Sequence, residues 1–568
     1  MKIVIFWATL IAAISAAYWP ALSGSFIWDD TDLIRNNPLV TSPGGLRLIW
    51  LSREATDFWP ITNSFFWLEW KIWGESTLGY HVVNLALHLL NCVLVFRIAE
   101  KIGVPFVPAI VALFALHPMN VETVAWIFQA KTLLSTFFVL TSALVFLKSE
   151  EKSSRSLFAV SVLLFAAGLL SKISVVMWPV VLAIYVFTGT KSVSATIKKS
   201  APFFLLAFVA GIVNLRWYPY AALSPTDAIH DLGFVERCLL VGWTTWFYVW
   251  KTLLPYPISF IYPRWTIAWN SVFSWIPTLV LLILVGVVIW RKAWRKSSAA
   301  RGFAGYWIFL FPALGFFEIY FQKYSYVADH WHYQALPILI AVLVVALGRR
   351  LPAKIGIVAL VAVLVAFVAL DVDHAKDFRG PEEIWSHAIE DYDRAFLAHN
   401  NLGLIQFESG RVAEAELSFQ RSLEANPNYR EALLNLGRLK KNAGHYGEAE
   451  QLYLKAIVVS PKFFSAFLNI GALYGTIGRY DDAKEAFERA LAIDPEAAVA
   501  HFNLAAVYQS QGDKESTYRE IGLANKVSGL VALKYGETAK ARDFLTAASQ
   551  YLPDDEEVRA RLAQVASQ

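Results

Sequence analysis

Cysteine is nearly absent. The chain has two, Cys92 and Cys238, both inside apolar stretches. No CxxC and no Cys/His cluster occurs, so a structural zinc site is not expected, and two buried thiols say nothing about redox compartment. Charge is also scarce, at 17% of residues against about 25% in a soluble domain. The net charge of +4 is too small to argue for nucleic acid. Residues 1–372 show no two related halves, which counts against a transporter built from repeats.

Abundance lies elsewhere. Hydrophobic residues make up 56% of the chain, with 22 Trp and 23 Tyr, a composition that fits helices with aromatic belts at two membrane interfaces. One hydrophobic span succeeds another up to residue ~372. The first, from Ile3 to about Leu22 behind Lys2, could be read as a signal peptide cut near Ser15-Ala16-Ala17. Its length makes an uncleaved anchor the plainer reading.

Lys2 places the N-terminus in the cytoplasm. Residues 23–79 then form a long external loop. Spans are expected at 80–96, 104–118, 124–147, 156–170, 174–189 and 201–216, with cytoplasmic Arg97, Lys101, Lys148, Lys152, Arg155, Lys191, Lys198 and Lys199 between alternate pairs. External turns fall at His117-Pro118 and Ser171-Lys172. The most basic loop, Arg291-Lys292 to Arg301, belongs inside, so the crossings between Lys199 and Arg291 must be even in number. Three apolar stretches lie there, 201–216, 234–254 and 271–290. The second carries Trp243, Trp246, Tyr248, Trp250 and Lys251, an interfacial composition, and is read as re-entrant or surface-lying. Spans at 302–320, 332–348 and 354–371 complete eleven crossings. An odd total puts the C-terminal region on the same face as the first loop.

That C-terminal region is periodic. Asn401, Asn435, Asn469 and Asn503 stand 34 residues apart, as do Gly410, Gly444, Gly478 and Gly512, and Pro427, Pro461 and Pro495. A strict step of this length is that of a tetratricopeptide (TPR) helix pair. The expected architecture is therefore all-α: a polytopic membrane bundle over 1–372, a connecting half repeat over 373–395 with Trp385 inward, and a TPR α-solenoid over 396–568 ending in a capping helix. The interval from Gly512 to Gly536 is 24, which reads as one shortened helix. The concave groove of such a solenoid, with Asn401, Asn435, Asn469 and Asn503 along it, suits an extended protein or peptide segment. Self-association or pure scaffolding has the same period.

Polar residues concentrate on the external face. Asp29 and Asp30, just beyond the first span, could orient a hydroxyl and take its proton, or coordinate a divalent cation such as Mg or Mn. Asp30 stands farther from the aromatic run and so reads as slightly the freer of the two to face an acceptor. A helix N-cap would account for one carboxylate, not for Asp29, Asp30 and Asp32 beside Trp28. His81, Asn84, His88 and Asn91 share one face of the second span, as site residues or as interhelical glue. His117, Glu122, Lys131, Lys172, Glu236 and Glu318 are costly charged or polar groups at membrane level and default to functional candidates. Tyr262, Arg264, Tyr326, Asp329, His330 and His332 mark further external turns. Asp329, His330 and His332 could be metal ligands, though their spacing is no recognised zinc pattern. Lys172, Arg264 and Lys131 beside an apolar groove would suit a lipid-linked phosphate.

Ile27-Trp28-Asp29-Asp30 with Asn36, Gly79-Tyr80-His81-Val82-Val83-Asn84 with His88, Phe114 to Trp126, Leu169-Leu170-Ser171-Lys172, and Tyr326-Val327-Ala328-Asp329-His330 together resemble the transmembrane-and-TPR-repeat proteins and their bacterial relatives. The motifs run in order through nearly the whole chain. The resemblance implies a GT-C-type glycosyltransferase of a bacterial inner membrane. It would take sugar from a polyprenyl-phosphate donor, with the first loop and the TPR region periplasmic and Asp29 or Asp30 on the catalytic acidic motif. One departure stands out: where many members have Arg-Lys-Asp, this chain has Ala130-Lys131-Thr132. A non-enzymatic scaffold for envelope assembly and a lipid-linked sugar transporter remain the rival readings.

Overall fold

The computed structural model describes residues 1–217, 232–292, 297–317 and 319–566, and every regular element among them is helical. Glu318, Arg295 and Lys296 lie outside the described residues. Two compact units emerge: residues 1–37, 55–217 and 232–392 form one, and residues 38–54 with 393–566 form the other.

The first unit is the apolar bundle. Seven of its helices are long and apolar enough to cross a membrane, and an eighth arises if the bent pair Val107–Ala115 and Pro118–Ala125 is one broken span. Val272–Trp290 and Ala353–His374 each have only 11% of their apolar window buried within the protein, so lipid must serve as their solvent. Ile127–Lys152, by contrast, has 61% buried and is the central helix. Three of the eleven expected spans are short: Arg155–Ser171 has 17 residues, and Ser298–Leu310 and Leu336–Gly348 have 13 each. The span expected over 302–320 stops early because Pro312 follows its last turn and Gly315 adopts φ +106°. A Cβ there would lie 2.5 Å from Leu240 Cδ2, so the chain turns where only glycine fits.

Two details bear on the expected topology. Phe234–Leu253 is one unbroken helix of 20 residues, with no re-entrant break, as a surface-lying helix would be. It packs along Val272–Trp290 at Gly242, where a side chain would strike Thr278. The external turn expected at His117-Pro118 is no solvent turn. Proline cannot continue the helix, the axis bends by 54°, and residues 114–136 are buried throughout. That broken segment is the floor on which the start of the first loop rests, through the Phe128 N–H and the Asp30 carboxylate.

The second unit is the solenoid. Helix pairs Phe396–Glu408 with Val412–Ala425, Arg430–Asn442 with Tyr446–Val459, and Phe464–Thr476 with Tyr480–Ile493 repeat one another. Gly410, Gly444 and Gly478 sit between the two helices of each pair at φ +77° to +82°, a left-handed turn that favours glycine. The fourth pair departs. Its second helix, Lys514–Lys534, is not shortened but runs to 21 residues and also packs against Thr538–Tyr551. Glu556–Ala566 caps the stack. Residues 38–54 of the first loop belong to this unit: the Gly44 N–H donates to Tyr535 O at 2.9 Å, and Glu54 pairs with Lys534 at 2.7 Å. Helix Pro381–Asp391, expected as a half repeat, belongs instead to the bundle unit, where Trp385 packs edge-on against Trp28.

Candidate active site

The turn Ile27–Asp30 is built around a strained tryptophan. Trp28 has φ +42°, a conformation that a bulky L-residue adopts only when its surroundings impose it. Its ring stacks on Trp126 at 5.8 Å and meets Phe260, Phe321, Tyr324 and Trp385 edge-on or tilted. Asp30 supplies the other constraint. Its Oδ2 accepts the Ile27 N–H at 3.0 Å and its Oδ1 accepts the Phe128 N–H at 2.8 Å. Completely buried and occupied at both oxygens, Asp30 pins the first loop to the broken segment. Position in the sequence suggests that Asp30 is the freer of the two carboxylates; the geometry is the reverse.

Asp29 is half-buried beside it. Burial pushes its carboxyl up to about 6, against the pull of Lys131 and with a further push from Asp32 and Asp57. Asp57, which carries no motif and does not stand out in the sequence, is raised by burial and lowered by Lys131 and Lys172. These cross-influences put Asp29, Asp57, Lys131 and Lys172 in one electrostatic neighbourhood.

The two lysines are held differently. Lys131 Nζ lies 3.5 Å from the centroid of the Phe128 ring and 5.0 Å from that of Trp59, so aromatic faces stand in for part of its lost hydration. Lys172 Nζ donates to Thr132 Oγ1 at 2.8 Å, and the Thr132 hydroxyl donates to Gln129 Oε1 at 2.7 Å. Thr132 is neutral, and burial together with the nearby Lys131 pushes the Lys172 ammonium well down, so an anion placed there would favour its charged form.

A second cluster borders the first. Glu122 accepts His330 Nδ1–H at 2.8 Å and the His330 backbone N–H at 3.1 Å. Tyr262 donates its hydroxyl to Asp329 at 3.0 Å. Burial depresses His330, and Lys172 and Lys131 depress it further, so this cluster lies within reach of both ammonium groups. Arg264 is engaged elsewhere, with Nη2 donating to Tyr326 OH at 2.9 Å and Nη1 to Lys323 O at 3.3 Å.

Other candidates lie against the backbone and neighbouring side chains. Asn84 donates to Trp126 O at 3.1 Å. His88 Nε2 faces Ala115 O at 3.0 Å and must donate, so Nδ1 accepts from Tyr333 OH at 2.8 Å. Asn91 donates to Leu133 O at 3.1 Å. His117 accepts the Met119 N–H at 3.3 Å and approaches Thr252 O at 3.2 Å, which fixes the helix break. His81 is buried beside the Gly24 and Ala125 backbone. Together these side chains hold the broken segment in place. Asp329, His330 and His332 do not converge as ligands, because His332 instead stacks on Tyr248 at 5.0 Å. In the solenoid, Asn435 donates to Asn400 at 3.0 Å and Asn469 to Ser465 O at 2.8 Å, so two of the four periodic asparagines spend their amide donors internally.

Two family models for tetratricopeptide repeats match residues 406–462 and 476–512. Part of the chain resembles a protein O-mannosyl-transferase of Caenorhabditis elegans, 32% identical over 163 residues. It also resembles human protein O-mannosyl-transferase TMTC3, 24% identical over 182 residues, and Drosophila melanogaster protein O-mannosyl-transferase Tmtc2, 32% identical over 178 residues. The chain is thus similar in part to protein O-mannosyl-transferases and carries tetratricopeptide repeats. These matches take in 25%, 29% and 27% of this chain, and span 23%, 19% and 19% of the respective relatives. Two solved structures, MamA and the TPR protein YrrB, overlap it as well. MamA is 19% identical over 30% of this chain and 92% of its own, and YrrB is 16% identical over 32% and 98%. Their TM-scores of 0.25 and 0.24 carry no further argument.

Proposed function

We propose that the chain is a GT-C-type glycosyltransferase that moves a sugar from a polyprenyl-phosphate donor to a hydroxyl of a protein acceptor. The observation that carries this is the half-buried Asp29 beside the buried Lys131, with Asp57 linking both to Lys172, which donates to the neutral Thr132 hydroxyl. The relatives are protein O-mannosyl-transferases, which favours the same chemistry. The acceptor oxygen forms a bond to the anomeric carbon and its proton passes to Asp29. The bond from that carbon to the donor phosphate breaks, and its electron pair leaves with polyprenyl phosphate, whose charge Lys172 and Lys131 offset. Attack opposite the leaving group inverts the anomeric centre. Arg264, whose Nη2 donates to Tyr326 OH, would add a further positive charge for the phosphate.

The TPR groove would hold the acceptor, on the periplasmic face of a bacterial inner membrane. Support for that placement comes from residues 38–54, which lie beyond the first span and yet hydrogen-bond within the solenoid unit. A segment cannot do so across a bilayer. The test compares envelope proteins by intact mass in cells carrying the wild-type chain, no chain, or Asp29→Asn. Monosaccharide increments should be present only with the wild type. Equal masses in all three would favour a non-enzymatic scaffold.

A further inference from the structure

We propose that His374, Asp377 and His387 form a binding site for one divalent transition-metal ion of the Zn2+ type, clipping the end of the last apolar helix to helix Pro381–Asp391. With so little cysteine the sequence carries no zinc signature, and the ligands gather only through a local reversal of the chain. Ala353–His374 ends at His374, a 3-10 turn covers Asp377–Arg379, and Gly380 is extended. Pro381 then starts the next helix at its first position, where a missing N–H costs nothing. The reversal carries His387, nearly two turns into that helix, back onto Asp377.

The geometry suits an ion. Nδ1 of His374 and Nδ1 of His387 lie 2.6 and 2.8 Å from the same carboxylate oxygen, Asp377 Oδ2. The three donor atoms all fall within 4.8 Å of one another, and no other such group is found among the described residues. Two imidazoles and one carboxylate are the donor set of Zn2+ and its neighbours, whereas Mg2+ and Ca2+ take oxygen alone. His374 and Asp377 are 6% and 14% exposed, and His387 is 37% exposed, which leaves an open side where water can complete the coordination. Asp391 lies 4.0 Å from Nε2 of His387, placed to orient that ring from behind. The loop closed is short, so little chain entropy is lost on binding.

The clip would sit under the strained turn. Phe378 is buried edge-on to His374 at 5.5 Å, and Arg379 O accepts the Ser25 N–H at 3.0 Å. Trp385, two residues before His387, is one wall of the cage around Trp28. Fixing this reversal therefore fixes the backbone that presents Asp29. The inference does not depend on the glycosyltransferase reading.

The test uses the full chain in detergent, freed of any tag and dialysed against a chelator, then titrated with Zn2+ alone and with Mg2+ as a control. The expected result is about one Zn2+ per chain with no response to Mg2+, and a thermal midpoint raised by several degrees. His387→Gln, at the most exposed ligand, should keep the fold and weaken Zn2+ binding at least tenfold. Absence of stoichiometric Zn2+, or equal binding by wild type and His387→Gln, would overturn the site and leave a His–Asp–His ion triad.

Discussion

In the solenoid, one packing solution recurs. Gly403, Gly437 and Gly471 each face an aromatic ring of the second helix of their own pair, with an added Cβ 2.8, 2.5 and 2.7 Å from Phe419, Tyr453 and Phe487. In the bundle nothing recurs. Adjacent Asp29 and Asp30 have opposite environments, and His88, Asn91 and His117 each meet a different backbone carbonyl. The difference separates two uses of a polar or small residue. Where the contact repeats, the residue serves packing, and a change there should be felt locally. Where it does not, each group has its own role, and neighbours in sequence can differ completely in what their loss does.

The sharpest way to break this contrast is the aspartate pair. Asp29→Asn should lower sugar transfer by about 10²-fold or more, the scale of a positioned proton acceptor, while stability stays within about 0.5 kcal/mol. Transfer from a polyprenyl-phosphate sugar and a melting curve on the same sample measure both. Full activity would remove Asp29 from the chemistry. Asp30→Asn should do something different. An amide group would aim a donor at the N–H of Ile27 or Phe128, and a buried clash of donors costs about 1–3 kcal/mol. A lowered melting midpoint checks it, and an unchanged one would mean that Asp30 does not pin the loop.

Acidity offers a reversible version of the first test. A carboxylate accepts a proton only when ionised, and Asp29 is pushed up to about 6, so transfer should fall about tenfold for each pH unit well below that value. An ordinary aspartate would hold the rate to near pH 4. A rate–pH profile from about pH 4.5 to about pH 8 distinguishes the two.

Smaller and more local effects belong to the solenoid. Gly437→Ala presses a methyl group against the Tyr453 ring and should cost about 1–3 kcal/mol. Gly512→Ala, at φ +79° in open space, should cost about 1 kcal/mol. Hydrogen exchange on the full chain should speed up in the helices beside each change and stay constant in the bundle. A uniform response would show that the two units do not differ in cooperativity.

The same contrast governs what is legible in the sequence. The 34-residue step is written into residue types, because the first three pairs share the same glycine turn and the same proline after the second helix. It misleads at one place. The interval from Gly512 to Gly536 counts residues between turns, and a missing turn lengthens a helix where the count suggests a shortened one. In the bundle, runs of apolar residues mark helices but not their ends, so the span expected over 302–320 overruns Pro312 and Gly315. Asp57 is invisible because nothing near it in sequence predicts Lys131 or Lys172. Nor does any spacing rule tell Asp29 from Asp30; only the amides of Ile27 and Phe128 do.

The hydrogen bond from Gly44 to Tyr535 has a consequence in time. Its partners are 491 residues apart in the chain. At a synthesis rate of about 5–20 residues per second, roughly 25–100 s pass between their appearances. Throughout that interval residues 38–54 have no solenoid to fold against. A ribosome stalled before residue 535, or a chain truncated there, would leave the stretch between Asn37 and Ala55 unfixed at one end of the loop that carries Asp29. Synthesis past residue 535 would thus be the step that lets residues 38–54 take up their native partners.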